Sequence, residues 1–183
     1  MKNMKTVAVD AKTKAHPGAQ LEEFFYEALK DIYWAEKQLT KAIPKMIRAA
    51  TTEELQEVLD EHLEETIDQV TQLEKVFELL DKKPLAKKCD AMEGLMKEAE
   101  SIIEETEEGS MTRDVALIFA GQKIEHYEIA TYGTLVRLAK TMNREDVADL
   151  LNKILDQEKE ADMTLTGVAE NNINVEATQE VEA

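Results

Sequence analysis

The sequence predicts an all-α protein folded as a four-helix bundle. Its 183 residues include only six glycines and three prolines, so few points in the chain interrupt a helix. Aromatic residues make up 5% of the chain, as expected for helices that pack through aliphatic side chains. Four long stretches repeat apolar residues every three to four positions, which is the pattern of a helix with one buried face. The length fits one domain with a substantial core.

The first two long helices are predicted to form a hairpin. The first spans about residues 19–50, and Pro44 is expected to kink it or to separate its last turn. Thr51 followed by Glu54 is a capping-box pattern, so it predicts the start of the second helix, which ends before Pro84. The link between the two helices is short, and they are therefore expected to be antiparallel neighbours.

A connection over about residues 82–111 joins the second and third long helices. It contains a shorter amphipathic helix, over about 91–107, with Asp90 as the expected N-cap. The third and fourth long helices, over about 112–140 and 144–170, form a second hairpin. A helix of roughly 28 residues is about 42 Å long, and the connection can span it from end to end. This predicts parallel second and third helices and a ferritin-like bundle with one long crossover.

Composition limits the partners and the location of the protein. The 39 acidic and 22 basic residues give a net charge of −17, which argues against nucleic acid or an anionic membrane as the main partner. No apolar segment reaches the roughly 18 to 20 residues of a membrane span, and no signal peptide is evident. Cys89 is the only cysteine, so a reducing, cytoplasmic location is expected. The predicted domain covers residues 18–170, between flexible segments at 1–17 and 171–183.

Acidic residues interrupt the apolar stripes near the middle of all four long helices. In antiparallel hairpins the centres of the helices meet at the same level, so these side chains are expected to converge. A histidine on the second helix shares their inward direction. The candidate ligands are Glu36 on the first helix, His62 and Glu65 on the second, Glu125 and Glu128 on the third, and Glu158 and Asp162 on the fourth.

Several carboxylates in one interior pocket predict a metal site, because like charges in a low dielectric need a cation to neutralise them. Carboxylate oxygens with one imidazole suit iron or manganese, and so many anionic ligands favour two ions over one. Taken singly, a glutamate on a seam is often a surface residue, His62 is more often a hydrogen-bonded core residue, and Glu128 fits a surface position. His126 is expected to contact a ligand or to be unrelated to the site. The coincidence of four helix centres favours the metal interpretation.

Short motifs along the chain carry a family resemblance over about residues 21–175. Together they resemble the YciE/YciF family of bacterial ferritin-like proteins. The resemblance implies a ferritin-like fold, a dinuclear iron or manganese centre, assembly into dimers or larger oligomers, chemistry with dioxygen or peroxide, and a role in stress responses. The motifs are Ala35-Glu-Lys-Gln-Leu39, His62-Leu-Glu-Glu-Thr66, Ala91-Met-Glu-Gly-Leu95, Val115-Ala-Leu-Ile, Glu125-His-Tyr-Glu-Ile-Ala130, Tyr132-Gly-Thr-Leu135, and Glu158-Lys159 with Ala161-Asp162.

The chain departs from the ferritin-like pattern, which places a Glu-x-x-His motif on two helices. Asp68 stands three residues after Glu65, and Ala161 stands three residues after Glu158. His62 instead precedes Glu65, so the predicted site is more anionic than the pattern. No rubredoxin-type cysteine set is present, which excludes electron transfer from such an internal centre.

The first hypothesis is a dinuclear metal protein that reacts with peroxide or oxygen or oxidises Fe(II) under stress. The alternatives are a non-catalytic stress or assembly protein with a vestigial site, and a metal store or sensor. Apolar residues off the seams of the first two helices (Phe24, Tyr26, Trp34 and Val70) predict a homodimer packed through these helices. In the first hypothesis Glu36 and Glu128 are terminal ligands, Glu65 and Glu158 bridge the ions, and His62, Glu125 and Asp162 are further ligands or their close contacts.

Overall fold

The computed structural model of the protein describes residues 17–181, and every regular element among them is helical. The predicted all-α bundle with a long crossover is confirmed. Residues 1–16 and 182–183 lie outside the described residues, and with them most of the predicted N-terminal segment. The helices are α1 (Ala19–Ala49), α2 (Glu53–Leu79), α3 (Asp90–Glu105), α4 (Met111–Thr141) and α5 (Glu145–Val168), followed by a π-helical segment (Ala169–Ile173) and the short α6 (Asn174–Ala177).

Contacts at the two ends of the bundle establish its topology. At one end, the backbone N–H groups of Thr51 and Thr52, before α2, donate to the Asp114 carboxylate at the start of α4, at 2.6 and 2.9 Å. At the other end, Arg144 in the link between α4 and α5 donates to the carbonyl of Leu79, where α2 ends. The helices α2 and α4 are therefore parallel, as predicted, and the crossover containing α3 spans the bundle.

The bundle closes through four neighbouring helix pairs. The hairpins α1–α2 and α4–α5 pack on each other through α2 against α5 and α1 against α4, while α3 lies against α4 and α1. Because α4 has neighbours on several sides, its buried residues do not follow one stripe. Glu125 and Tyr132 are buried on one side of it, and Leu117, Glu128 and Ala139 are buried on an adjacent side. No helix among the described residues is long and apolar enough to cross a membrane.

Three local predictions for the helix ends need correction. Thr52 rather than Thr51 caps α2, because its hydroxyl accepts an N–H from the first turn. Cys89 rather than Asp90 caps α3, with its thiol sulfur as the acceptor. Pro44 does not separate the last turn of α1, which continues to its end as one helix. Buried residues on both sides of this proline hold the turn in the bundle.

The chain remains helical and packed beyond residue 170, where a flexible tail was predicted. Ile173 is 2% exposed, and the Asn171 amide donates to Glu54 at 3.1 Å. The carboxylate of Glu180 accepts the backbone N–H of Thr112 at 3.0 Å and so supports the start of α4. The sequence did not predict this packing, because the few contacts that hold the segment on the bundle do not form an apolar stripe.

Asp114 is expected to contribute strongly to stability. Its fully buried carboxylate accepts the N–H groups of Thr51 and Thr52 and the hydroxyl of Thr52 at 2.7 Å. Replacing it with asparagine (Asp114→Asn) puts an N–H donor against these donors, and we expect a loss of about 2–4 kcal/mol in the free energy of unfolding. Urea denaturation would measure it. The control Asp149→Asn, at an exposed position on α5, should cost less than about 0.5 kcal/mol. Equal stabilities of the two variants would contradict this role.

Candidate metal centre

Four buried side chains from three helices converge in the middle of the bundle. His62 on α2, Glu125 and Glu128 on α4, and Glu158 on α5 each offer a ligand atom, and these atoms lie within 4.8 Å of one another. His62 Nε2 lies 3.2 Å from Glu125 Oε1. A group of this size and chemistry suits a metal ion such as iron or manganese.

Glu36 contributes a side chain from α1, so all four long helices reach the same site. It is fully buried on α1, and the Tyr132 hydroxyl donates a hydrogen bond to its Oε1. Glu36 also lies within hydrogen-bonding reach of Glu128. In the sequence, Tyr132 stood out only as part of a family motif. Its role in holding Glu36 depends on the relative register of α1 and α4, which periodicity does not determine.

Most carboxylate oxygens of this cluster have no protein partner. Hydrogen-bond partners are lacking for one oxygen each of Glu36, Glu125 and Glu128 and for both oxygens of Glu158, as they are for His62 Nδ1. Within residues 17–181, no lysine or arginine forms an ion pair with these carboxylates. Each buried polar group without a partner costs about 1–3 kcal/mol. Unpartnered oxygens from several neighbouring carboxyl groups are what bound cations would satisfy, so these residues could hold metal.

The same burial shifts the pKa values of the four glutamates upward. Burial, followed by the charge of Glu158, raises the pKa of Glu36 to about 8. Burial is also the main cause that raises the pKa of Glu125 to about 8. The pKa values of Glu128 and Glu158 lie well above the usual range, because of burial and then of the neighbouring carboxylates. Without metal, the cluster therefore holds protons at neutral pH.

Glu65 lies at the edge of the cluster, although the sequence analysis made it a bridging ligand. Its side chain is 44% exposed, and its Oε2 lies 3.9 Å from His62 Nδ1. Three residues along a helix leave a side chain about 60° from the starting direction, and here that rotation takes Glu65 toward solvent. Burial lowers the pKa of His62, but Glu65 and the nearby negative charges outweigh it and raise the pKa overall.

Asp162 and His126 form an outer layer on the α4–α5 side. Asp162 is half-buried and does not join the converging group. Its Oδ1 accepts the Gln122 amide at 3.4 Å, and its Oδ2 lies 3.3 Å from Nε2 of the exposed His126. The expectation that His126 contacts a candidate ligand therefore agrees with the structure.

Gln69 is a buried polar residue that the sequence analysis did not single out. It occupies a seam position of α2, is 1% exposed, and neither its amide nitrogen nor its amide oxygen has a partner. In the sequence, its only signal was its position between Thr66 and Leu73, where a buried side chain is expected. An uncharged amide on a seam does not by itself indicate a metal site.

The fold is that of a ferritin-like four-helix bundle with a long crossover. Residues 20–178 match the family described as "Domain of unknown function (DUF892)". Protein YciF of Escherichia coli (strain K12) is 46% identical over 158 residues, which cover 86% of this chain and 95% of that protein. The chain therefore belongs to the DUF892 family and is similar to YciF, and the resemblance predicted from the motifs is confirmed.

Solved structures agree with this assignment. The crystal structure of the E. coli stress protein YciF matches with a TM-score of 0.80 and 46% identity, covering 84% of this chain and 97% of that one. YcfI from Rhodopseudomonas palustris, whose description proposes a structural role, matches with a TM-score of 0.77 and 41% identity, covering 80% and 92%. A Xanthomonas campestris protein at 24% identity and a TM-score of 0.67, covering 86% and 96%, supports the fold alone.

Proposed function

We propose that this chain binds two iron or manganese ions between its four long helices and uses them to reduce peroxides. One observation carries the proposal: the carboxylates of Glu36, Glu125, Glu128 and Glu158 are buried together with unpartnered oxygens. These four residues and His62 would hold the ions. When bound, two such ions would supply the two electrons that cleave the O–O bond of a peroxide, two protons would complete the alcohol or water products, and an external thiol reductant would return two electrons to the ions for the next turnover.

The surrounding residues would position the ligands and supply protons. The Tyr132 hydroxyl fixes the Glu36 carboxylate, and burial excludes water from the oxygens that face the ions. Glu65 is half-exposed beside His62, so its carboxylate can carry protons between solvent and the buried site. Asp162 lies outside the converging group, and its contacts with Gln122 and His126 hold its carboxylate in place.

Metal loading and peroxide consumption would test this function. Purified protein loaded anaerobically with Fe(II) or Mn(II) is expected to bind two ions per chain and to consume hydrogen peroxide. Glu158→Gln should lower both metal affinity and turnover about tenfold or more. Glu64→Gln, a matched change at an exposed position on α2, should leave both unchanged. Failure of the wild type to retain metal would refute the proposal, and retention without turnover would favour a metal store or sensor.

A role in assembly is the second candidate, and exposed apolar residues favour it. We propose a homodimer packed through the outer faces of α1 and α2. Ile67 on α2 is 54% exposed, and Trp34 and Val70 are only partly buried. Tyr26 contributes less than the sequence indicated, because its ring packs on Phe77 within the same chain.

The dimer proposal predicts a change in mass upon one substitution. Ile67→Asp places a charge in the apolar interface and is expected to convert the dimer to a monomer, as measured by light scattering at micromolar concentration. Met163→Asp is the control, because Met163 is 69% exposed on α5, outside the proposed interface. A monomeric mass for the wild-type protein would exclude the dimer.

A further inference from the structure

A separate cavity of about 140 Å³ lies directly beside the acidic cluster. All four long helices contribute to its wall, which is mainly apolar. The lining also includes His62 and Glu125, which belong to the cluster. A molecule in the cavity would therefore touch the candidate metal centre. The apolar wall includes Leu39, Ile43, Leu59, Ile124 and Leu165.

The size of the cavity limits what it can hold. A cavity of about 150 Å³ lined by aliphatic and aromatic side chains remains dry and binds a molecule the size of benzene. The present cavity therefore fits an apolar body of about six non-hydrogen atoms. Hydrogen peroxide and dioxygen are much smaller and would leave most of the apolar wall without contacts.

Ala161 explains why this space exists. It lines the cavity and stands three residues after Glu158, where the Glu-x-x-His pattern of dinuclear bundles places a histidine. A methyl group in place of an imidazole leaves room next to the cluster. The departure from the pattern thus replaces a ligand with a space for a small molecule.

The charge around the cavity indicates that its ligand is neutral. The lining includes Glu61, Glu65 and Glu160, which are exposed or half-exposed acids, and no lysine or arginine. Its one imidazole, His62, already faces the carboxylates of Glu125 and Glu65, so an organic anion would meet a surplus of negative charge. His62 and Glu125 are the polar lining residues from the cluster, and they can form hydrogen bonds with a polar group of the ligand.

We infer that the cavity binds the alkyl group of a small neutral hydroperoxide, with the peroxide end against His62 and Glu125. This inference rests on the proposed peroxide reduction and names its substrate class. The alcohol left by that reduction has the same alkyl group and fits the same space. tert-Butyl hydroperoxide and tert-butanol are the matched substrate and product probes.

Binding to the metal-free protein tests the cavity without any turnover. Titration with tert-butanol is expected to shift the NMR signals of the Ile43, Leu59 and Leu165 methyl groups, whereas pivalate, an anion of similar shape, should not. Ala161→Leu fills the cavity and should weaken tert-butanol binding about tenfold or more. Ala91→Leu, at an exposed position on α3, should not change it. Absent shifts in the wild type, or equal shifts with pivalate, would overturn the inference.

A milder pair of substitutions keeps the test valid if Ala161→Leu fails to fold. A Cβ at Gly121 would lie 3.1 Å from Leu165 Cδ1, so Gly121→Ala should push Leu165 toward the cavity and weaken tert-butanol binding. Gly133→Ala is the control on the same helix, because its Cβ would meet only the flexible Arg137 guanidinium at 3.4 Å. Equal tert-butanol binding by the two variants would count against the cavity as the binding site.

Turnover by the metal-loaded protein then separates this inference from the proposed function. Ala161→Leu is expected to reduce the kcat/KM for tert-butyl hydroperoxide about tenfold and to leave the kcat/KM for hydrogen peroxide nearly unchanged. Equal effects on both peroxides would overturn the inference while peroxide reduction stands. Consumption of neither peroxide by the wild type would refute the proposed function, and with it the assignment of the ligand as a substrate.

Discussion

Binding of Mn(II) or Fe(II) is expected to raise the melting temperature of the wild-type protein, and Glu158→Gln is expected to remove most of that increase. An ion that binds only the folded state stabilises it by about 3 kcal/mol at a hundredfold excess over Kd. For a domain of this size, each kcal/mol corresponds to about 2–4 °C, so the expected increase is about 6–12 °C per tightly bound ion.

The metal-free variant should show the opposite effect. Glu158 lies among Glu36, Glu125 and Glu128 with both of its oxygens unpartnered. Glu158→Gln replaces a buried carboxyl group, whose ionisation is unfavourable there, with an uncharged amide, so metal-free Glu158→Gln should melt at the same temperature as the metal-free wild type or higher. Glu64→Gln, exposed on α2, should keep the wild-type response to metal. Melting that is indifferent to metal, with Glu158→Gln simply less stable, would mean that the glutamates serve only as structural groups.

The metal-free protein is expected to lose stability as the pH rises from about 4.5 through about 8. The pKa values of Glu36 and Glu125 are about 8 in the folded protein, compared with the ordinary value of 4.5. The folded state therefore binds more protons than the unfolded state in this range. This contribution to stability is complete below the unfolded pKa and is lost as the pH passes the folded pKa. The summed loss should be several kcal/mol.

Urea denaturation in the presence of a chelator, at several pH values in this range, would measure the effect. Surface repulsion from the net charge of −17 also grows with pH. Glu158→Gln is therefore the necessary comparison, and its stability should fall less steeply than that of the wild type. Bound metal requires ionised carboxylates and should flatten or reverse the slope. A wild-type stability that does not fall with pH would contradict the protonation of the cluster.

The fold was predictable because long helices give long, regular patterns. The lengths of the links decided the topology, and the parallel arrangement of α2 and α4 follows from the length of the crossover. Errors of one residue arose at helix starts, where several polar residues compete for the cap, as Thr51 and Thr52 do. The C-terminal segment escaped prediction because single contacts, such as the burial of Ile173, hold it on the bundle.

The site was predictable at the level of helix centres but not of individual atoms. Glu36, Glu125 and Glu158 are buried where the seams placed them. Glu128 fitted a surface position in the sequence but is buried, because α4 has neighbours on several sides. Glu65 was predicted inside the site and lies at its edge, since a rotation of about 60° moves it toward solvent. Such differences depend on how each helix is rotated in the bundle, and a single periodic pattern does not specify this rotation.

Anomalous X-ray scattering at the manganese or iron edge, from a crystal grown with the metal, tests the central claim most directly. The expected result is two peaks between the four long helices, among the side chains that converge there. Glu158→Gln crystals grown in the same way should show weaker peaks or none. A map without a peak in this cluster, or with peaks only on the protein surface, would contradict a dinuclear centre. The cluster consists of Glu36, His62, Glu125, Glu128 and Glu158.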